Sequence, residues 1–294
     1  MQNLFLFLVF LFLNSCKEKK TVGSENQVEF SQPVKVTVSG YSGNLMEPFI
    51  SRDGSILLFN NLNAAPENTN LHWATRINDS SFEYKGEVAG VNTVDLEGVP
   101  TLDNAGNLYF VSTRNYSTTL STLYQCKFSN GSATDVQLIN GISKLQAGWV
   151  NFDIEVSADG NTLYFVDSRF DQNGIPATAD LVIAEKNSAG FKRMANSNEI
   201  MKNINTAALE YAAAISVDQL EFYFTRVPVP ITASSNPEIF VATRKNASEQ
   251  FGQPTKIQAL TGFVEAVTIA PDQRTIYFHK KENDKFGLYM IRKK

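Results

Sequence analysis

The stretch Val156-Ser157-Ala158-Asp159-Gly160-Asn161-Thr162-Leu163-Tyr164-Phe165 decides the fold. It recurs in altered form four times. The copies are I-S-R-D-G-S-I-L-L-F ending at Phe59, T-L-D-N-A-G-N-L-Y-F at Phe110, I-S-V-D-Q-L-E-F-Y-F at Phe224 and I-A-P-D-Q-R-T-I-Y-F at Phe278. Each reads as a β-hairpin. Asp and Gly suit the tight turn, because Asp bonds its own backbone and Gly takes positive φ freely. The aromatic and aliphatic run that follows suits a strand. The closing aromatics lie 51, 55, 59 and 54 residues apart, and self-similarity at such a period points to a solenoid, propeller or array.

Two further strand signals follow each hairpin. The third strand is carried by 71–76, 123–128, 181–186, 239–244 and 288–293, and a shorter fourth by 82–87, 191–193 and 251–257. Four strands per repeat make a propeller blade. The chain ends after the third strand of its fifth repeat. Phe30-Ser31-Gln32-Pro33-Val34-Lys35-Val36 is similar to Phe251-Gly252-Gln253-Pro254-Thr255-Lys256-Ile257, the fourth strand of repeat four. The N-terminus therefore supplies the missing strand, which removes an exposed edge. The expectation is an all-β, five-bladed β-propeller of four-stranded antiparallel blades over residues 28–294.

The repeat S-x-D-G-x-x-L-x-F, then Arg, then a strand such as I-F-V-A-T-R, resembles the WD40-like repeat of the periplasmic protein TolB. The resemblance covers roughly Glu47 to Arg292. It implies a propeller in the cell envelope and often an interaction module. It is specific for fold and weak for function, which lives in sites grafted on folds.

Leu4 to Leu13 is an apolar run too short to span a bilayer. It reads as a secretory signal, 1–15, although Gln2 and Asn3 replace the usual basic residues. Leu13-Asn14-Ser15-Cys16 resembles the bacterial lipobox, which implies acylation of Cys16 and a membrane anchor. Acyl chains at about 0.8 kcal/mol per buried CH₂ make such an anchor durable. Residues 16–27 are polar and read as a tether. The expected address is the outer membrane, on its periplasmic or cell-surface side. Net charge is −4 with no basic patch, which argues against nucleic acid. Cys126, in an apolar strand, reads as a buried thiol.

No Walker loop, G-x-S-x-G elbow, H-E-x-x-H or cysteine cluster is present, and the chain has two histidines, His72 and His279. What repeats is charge. Glu47, Glu97, Asp153, Glu210 and Glu265 lie 12 to 14 residues before the closing Phe of their repeats. In a propeller they would form a ring at the mouth of the central channel. Arg114, Arg169 and Arg226 follow the second strand of repeats two to four, Lys280 takes that place in repeat five, and repeat one departs with Asn61. The first reading is a ring of ion pairs. Ca²⁺ held by oxygen ligands and a catalytic carboxylate pair are the alternatives. Otherwise no cofactor is implied. The long loops of the same end, 60–70, 115–121, 170–180 and 227–236, are joined by 141–149 and 203–209, and Trp149 and Tyr211 lie in or beside them, where they bind a partner or cap the core.

Two functions follow. The first is a lipid-anchored, non-catalytic module that binds an envelope protein or glycan. The second is a carbohydrate-active enzyme, since several glycosidase families use five-bladed propellers with acids in the channel. Acids special to one or two blades would favour the enzyme.

Overall fold

The computed structural model describes residues 28–63, 68–232 and 235–294. The signal segment, Cys16 and the tether lie outside the described residues. The fold is all-β, and among the described residues the helices are two short ones, Tyr116–Thr119 and Ser197–Ile200.

Five antiparallel groups follow the five repeats. The first is Met46–Ile50, Ile56–Asn60, Leu71–Asn78 and Ser81–Glu87, with Thr37–Ser39 added parallel to its outer strand. The second is Glu97–Leu102, Asn107–Ser112, Leu123–Ser129 and Ser132–Leu138. The third is Ile154–Val156, preceded by Trp149–Val150, then Thr162–Phe170, Pro176–Asn187 and Gly190–Arg193. The fourth is Leu209–Ile215, Glu221–Val227, Glu238–Thr243 and Thr255–Lys256, joined to the third by one parallel pairing, Ala179 with Leu209. The fifth is Val264–Ile269, Thr275–Glu282 and Lys285–Arg292, and its outer strand is Val34–Lys35 from the other end of the chain. Val34 faces Met290 and Lys35 faces Tyr289, antiparallel. Flanking backbone bonds extend this seam, from Ser31 N–H to Arg292 O (2.8 Å) and from Val36 N–H to Leu288 O (2.9 Å).

The repeated turn holds for a definite reason. In repeats one, three and four the Ser hydroxyl donates to the Asp two residues on, at 2.5, 2.5 and 2.6 Å. The same Ser oxygen accepts the N–H that opens the second strand, at 2.9 Å each from Ile56, Thr162 and Glu221. One side chain thus pins both ends of the turn. Repeat two lacks the Ser, and Asp103 instead takes the N–H groups of Ala105 and Asn107 at 2.9 Å.

The closing aromatics place the core. Phe110 sits in a cluster between groups one and two, Phe165 between two and three, Phe224 between three and four, and Phe278 between four and five. Phe59 sits between groups one and five, with Phe82 edge-on to Tyr277. All five are at most 1% exposed, each worth about 1.5–3 kcal/mol on burial. Cys126 is buried, and burial lifts its thiol to about 12. Residues 170–180, expected as a loop, instead extend the third group as a long hairpin that pairs Phe170 with Pro176.

Candidate functional site

The innermost strands of all five groups line one axial cavity of about 20 Å³, bordered by residues such as Glu47, Pro100, Glu155, Ala212 and Thr268. That is room for roughly one water. The acids at the loop end of this axis do not form one ring. Four of the five strands carry a bulge, where pairing jumps from Met46–Asn60 to Phe49–Leu58, Gly98–Val111 to Thr101–Tyr109, Tyr211–Thr225 to Ala214–Tyr223 and Glu265–His279 to Thr268–Tyr277, while the third breaks between Val150 and Ile154, beside Asp153. The residue after each jump begins has positive φ: Glu47 45°, Val99 53°, Ala212 52° and Ala266 53°. Such values are uncommon outside Gly, and their recurrence marks the bulge as part of the repeat. Counted from it, Glu97 and Glu210 occupy one position, Glu265 the next and Glu47 the one after. Neighbouring strand positions face opposite sides, so these acids have different surroundings.

Glu97 and Glu210 are structural. Glu97 is fully buried and takes Arg114 (3.0 Å), the Ser112 hydroxyl (2.7 Å) and the N–H and hydroxyl of Thr93 (2.6 and 2.8 Å). Glu210 repeats the pattern with Arg226 Nε (2.7 Å) and with Thr206 N–H (3.0 Å) and hydroxyl (2.6 Å). These are the expected ion pairs.

The other expected pairs do not form. Arg169 is exposed and makes no ion pair or side-chain hydrogen bond among the described residues. Lys280 reaches Glu282 at 3.4 Å rather than Glu265. In repeat three the guanidinium role passes to Arg193, which holds Asp167 with two bonds of 2.7 Å. Trp149 is half-buried, with the Lys144 ammonium 3.2 Å from its ring centroid.

Glu47, Asp153 and Glu265 are left without any guanidinium or ammonium partner among the described residues, at 7%, 3% and 9% exposure. Glu265 accepts from the Tyr211 hydroxyl and pairs with His279 Nε2 at 3.2 Å. His279 Nδ1 accepts the Glu47 N–H at 3.1 Å. An N–H can only donate, so the imidazole proton sits on Nε2 and points at Glu265. Burial disfavours the imidazolium, but the bond to Glu265 and the charges of Glu47 and Glu265 lift its pKa overall. A second proton on Nδ1 would still have to displace the Glu47 N–H, so we take His279 as neutral in this arrangement. Glu47 accepts from the Asn63 amide at 2.6 Å. Asp153 accepts from the Ala212 N–H at 3.0 Å.

Burial pushes Asp153 well above the usual carboxylate range, the charges of Glu47 and Glu265 push the same way, and the Ala212 N–H pulls back. Burial also raises Glu47; His279 and Asn63 oppose this, and the Glu265 charge adds to it. Like charges at close range cannot all ionise cheaply. The set therefore combines a carboxyl biased to keep its proton, Asp153, with a carboxylate served by two donors, Glu265.

Donor atoms of Glu47, Glu265 and His279 lie within 4.8 Å of one another. This does not fit Ca²⁺, which takes about six to eight oxygens. Both imidazole nitrogens are also already engaged.

Sequence reasoning missed the other end of the axis. Arg52, in the first hairpin turn, crosses to the third group and binds Glu155 at 2.9 Å and the Val156 carbonyl at 2.5 Å. Thr101 donates to the same carboxylate at 2.6 Å. Arg52 also fills the slot where three of the other turns carry Ala158, Val217 and Pro271 and repeat two carries Asp103, and that contrast was the available signal.

No protein-family model matches the chain, and no curated protein does. Solved structures are similar in shape. A structure described as a glycoside hydrolase shares 10% identity at a TM-score of 0.63, over 91% of this chain and 93% of that one. The exo-beta-1,3-galactanase from Phanerochaete chrysosporium shares 12% at 0.54, over 90% and 64%. TolB from Acinetobacter baumannii shares 12% at 0.45, over 86% and 55%, too low to bear on TolB-like specificity. At these identities the likeness establishes the fold alone, and the fold is a β-propeller.

Proposed function

We propose that this is a carbohydrate-active propeller of five blades, closed by the pairing of 34–35 with the last strand, and that its axial acids cleave a glycosidic bond. The observation that carries the reading is the split among the acids. Glu97 and Glu210 are neutralised by arginines, as a scaffold requires. Glu47, Asp153 and Glu265 come from three distant hairpins to one place and have no such partner. Carboxyls raised as Asp153 and Glu47 are tend to cluster at functional sites. Two propellers similar in fold are described as a glycoside hydrolase and an exo-beta-1,3-galactanase, which supports the same chemistry.

Two carboxyls suffice for that chemistry. Asp153, biased to stay protonated, gives its proton to the departing glycosidic oxygen. Glu265, oriented by Tyr211 and neutral His279, takes a proton from the water that bonds to the anomeric carbon. Glu47 acts through its charge, which helps keep Asp153 protonated. The deciding test is turnover of a panel of plant and microbial polysaccharides, read as new reducing ends. Asp153→Asn and Glu265→Gln should abolish it while both proteins stay folded. Turnover that survives both changes would overturn the assignment, and so would a panel on which the parent protein releases nothing.

One observation favours a second reading, the non-catalytic binding module. The acids are nearly buried, and the cavity beside them holds about one water. In that reading the loop face binds an envelope protein or a glycan without cleaving it. For either function we place the protein on the outer membrane through acylated Cys16. Cys16→Ser should move it to the soluble fraction, and unchanged membrane fractionation would remove that part of the proposal.

A further inference from the structure

A second cavity, of about 650 Å³, lies at the loop end of the third group. Ligand sites run from about 300 to 1,000 Å³. Lys144, Asp167, Asp180, Arg193, Lys202 and Asn205 line it. Its floor is fixed: buried Asp167 is held by Arg193, by Lys144 at 3.3 Å and by the Asn151 amide at 2.9 Å. Its rim is not. Asp180 stands across the strand pair from Asp167 and is half-buried, and its carboxyl makes no hydrogen bond or ion pair among the described residues. Burial, then the charge of Glu210, raise its pKa, and the nearby Lys144 charge pulls it back. Lys202 is exposed and forms no ion pair among the described residues. A free acceptor and a free donor thus face one cavity.

A hydrogen-bond relay connects the cavity floor to the stretch that carries Asp153, beginning with the Asn151 amide on Asp167. The Asn151 amide also donates to the Val166 carbonyl at 2.8 Å, and the Val166 N–H donates to the Asp153 carbonyl at 3.2 Å. The stretch that carries Asp153 therefore backs the cavity floor behind Asp167 without lining it. Val182, Met194 and Ala195 are its only apolar lining residues, which does not suit a lipid or an apolar peptide. Asp167 and Asp180 disfavour a polyanion, since Arg193 is already committed. Mixed charges and amides suit hydroxyl groups, which donate and accept.

We infer that this cavity is a subsite for further sugar units of a neutral glycan whose scissile bond lies at Asp153, so that the protein prefers chains to disaccharides. The inference rests on the proposed glycosidase reading. The test uses neutral galacto-, xylo- and arabino-oligosaccharide ladders from disaccharide to hexasaccharide. Binding is measured on Asp153→Asn and turnover on the parent chain. Affinity should rise with length. Asp180→Ala and Lys202→Ala, each checked for an unshifted melt, should cut the hexasaccharide-to-disaccharide ratio of kcat/KM about tenfold, or about 1.4 kcal/mol. Length-dependent binding that these changes weaken, without turnover in the parent, would keep the subsite and remove the glycosidase reading. Turnover with no dependence on length, or with a ratio that neither change alters, would keep the glycosidase and remove the subsite.

Discussion

At the scale of single residues, the difference between paired and unpaired acids makes opposite predictions. Asp153 has a raised folded pKa, so the folded state keeps a proton that the unfolded chain releases as pH rises through the ordinary carboxylate range. Stability is therefore lost as pH climbs from that range toward the folded value. Asp153→Asn removes this loss. It should melt higher than the parent at pH 7, by about 0.5–2 kcal/mol, with the gain shrinking below about pH 4. It should also lose about 10²–10⁴ in turnover if Asp153 is the proton donor. A variant less stable than the parent at neutral pH would show that the carboxylate is needed by the scaffold. Arg226→Ala should do the reverse. It strands fully buried Glu210, which costs about 3–5 kcal/mol by thermal or urea melts. Arg169→Ala, at an exposed side chain, should stay within about 0.5 kcal/mol.

Among the elements, the repeat was legible because its turn is chemical. Ser157 clasps Asp159 and caps Thr162, and Ser51 and Ser216 do the same, so local residues carry the signal. The partners of the acids were not legible, because the distance to the closing Phe does not reveal the bulge. Glu265 and Glu210 look equivalent in sequence yet stand one strand position apart, and a one-residue shift turns a side chain to the other face. Hence Glu265 meets His279, and Lys280 points elsewhere. The long hairpin at 170–176 was hidden because Asp171, Asn173 and Gly174 read as loop. They are the turn itself, with Asp171 accepting from Asn173 and Ile175 at 2.8 and 2.9 Å. The N-terminal strand was readable from its likeness to 251–257. Deleting 28–38 would uncover the edge at 285–292 and remove buried Val36 and Val38. Each buried valine is worth about 1.5–3 kcal/mol, so the loss should be at least about 3 kcal/mol by denaturant melts. A deletion that melts like the parent would show that the pairing of 34–35 with 289–290 does not stabilise the fold.

For the whole molecule, what ties the groups together across the axis is the Arg52–Glu155 pair. Core clusters hold each group to its neighbours, whereas Arg52 reaches past the second group, through the Leu102 carbonyl at 3.2 Å, to the third. The pair is nearly buried, and burial keeps Glu155 above the usual carboxylate range although Arg52, Thr101 and the Ile215 N–H pull it down. Buried pairs of this kind are weak evidence for stability as such, and breaking one side is what costs. Arg52→Met should therefore lose about 3–5 kcal/mol at pH 7. Without the guanidinium, the folded pKa of Glu155 rises further. The folded state then holds its proton while the unfolded chain sheds it, so the deficit should grow from the ordinary carboxylate range upward and be small near pH 4. Arg52→Met with Glu155→Leu should recover most of the loss, because no uncompensated charge remains. Equal melts of the single and double variants across pH would mean that Arg52 works by packing against Phe49, whose ring centroid lies 5.1 Å from its guanidinium carbon, and not through Glu155.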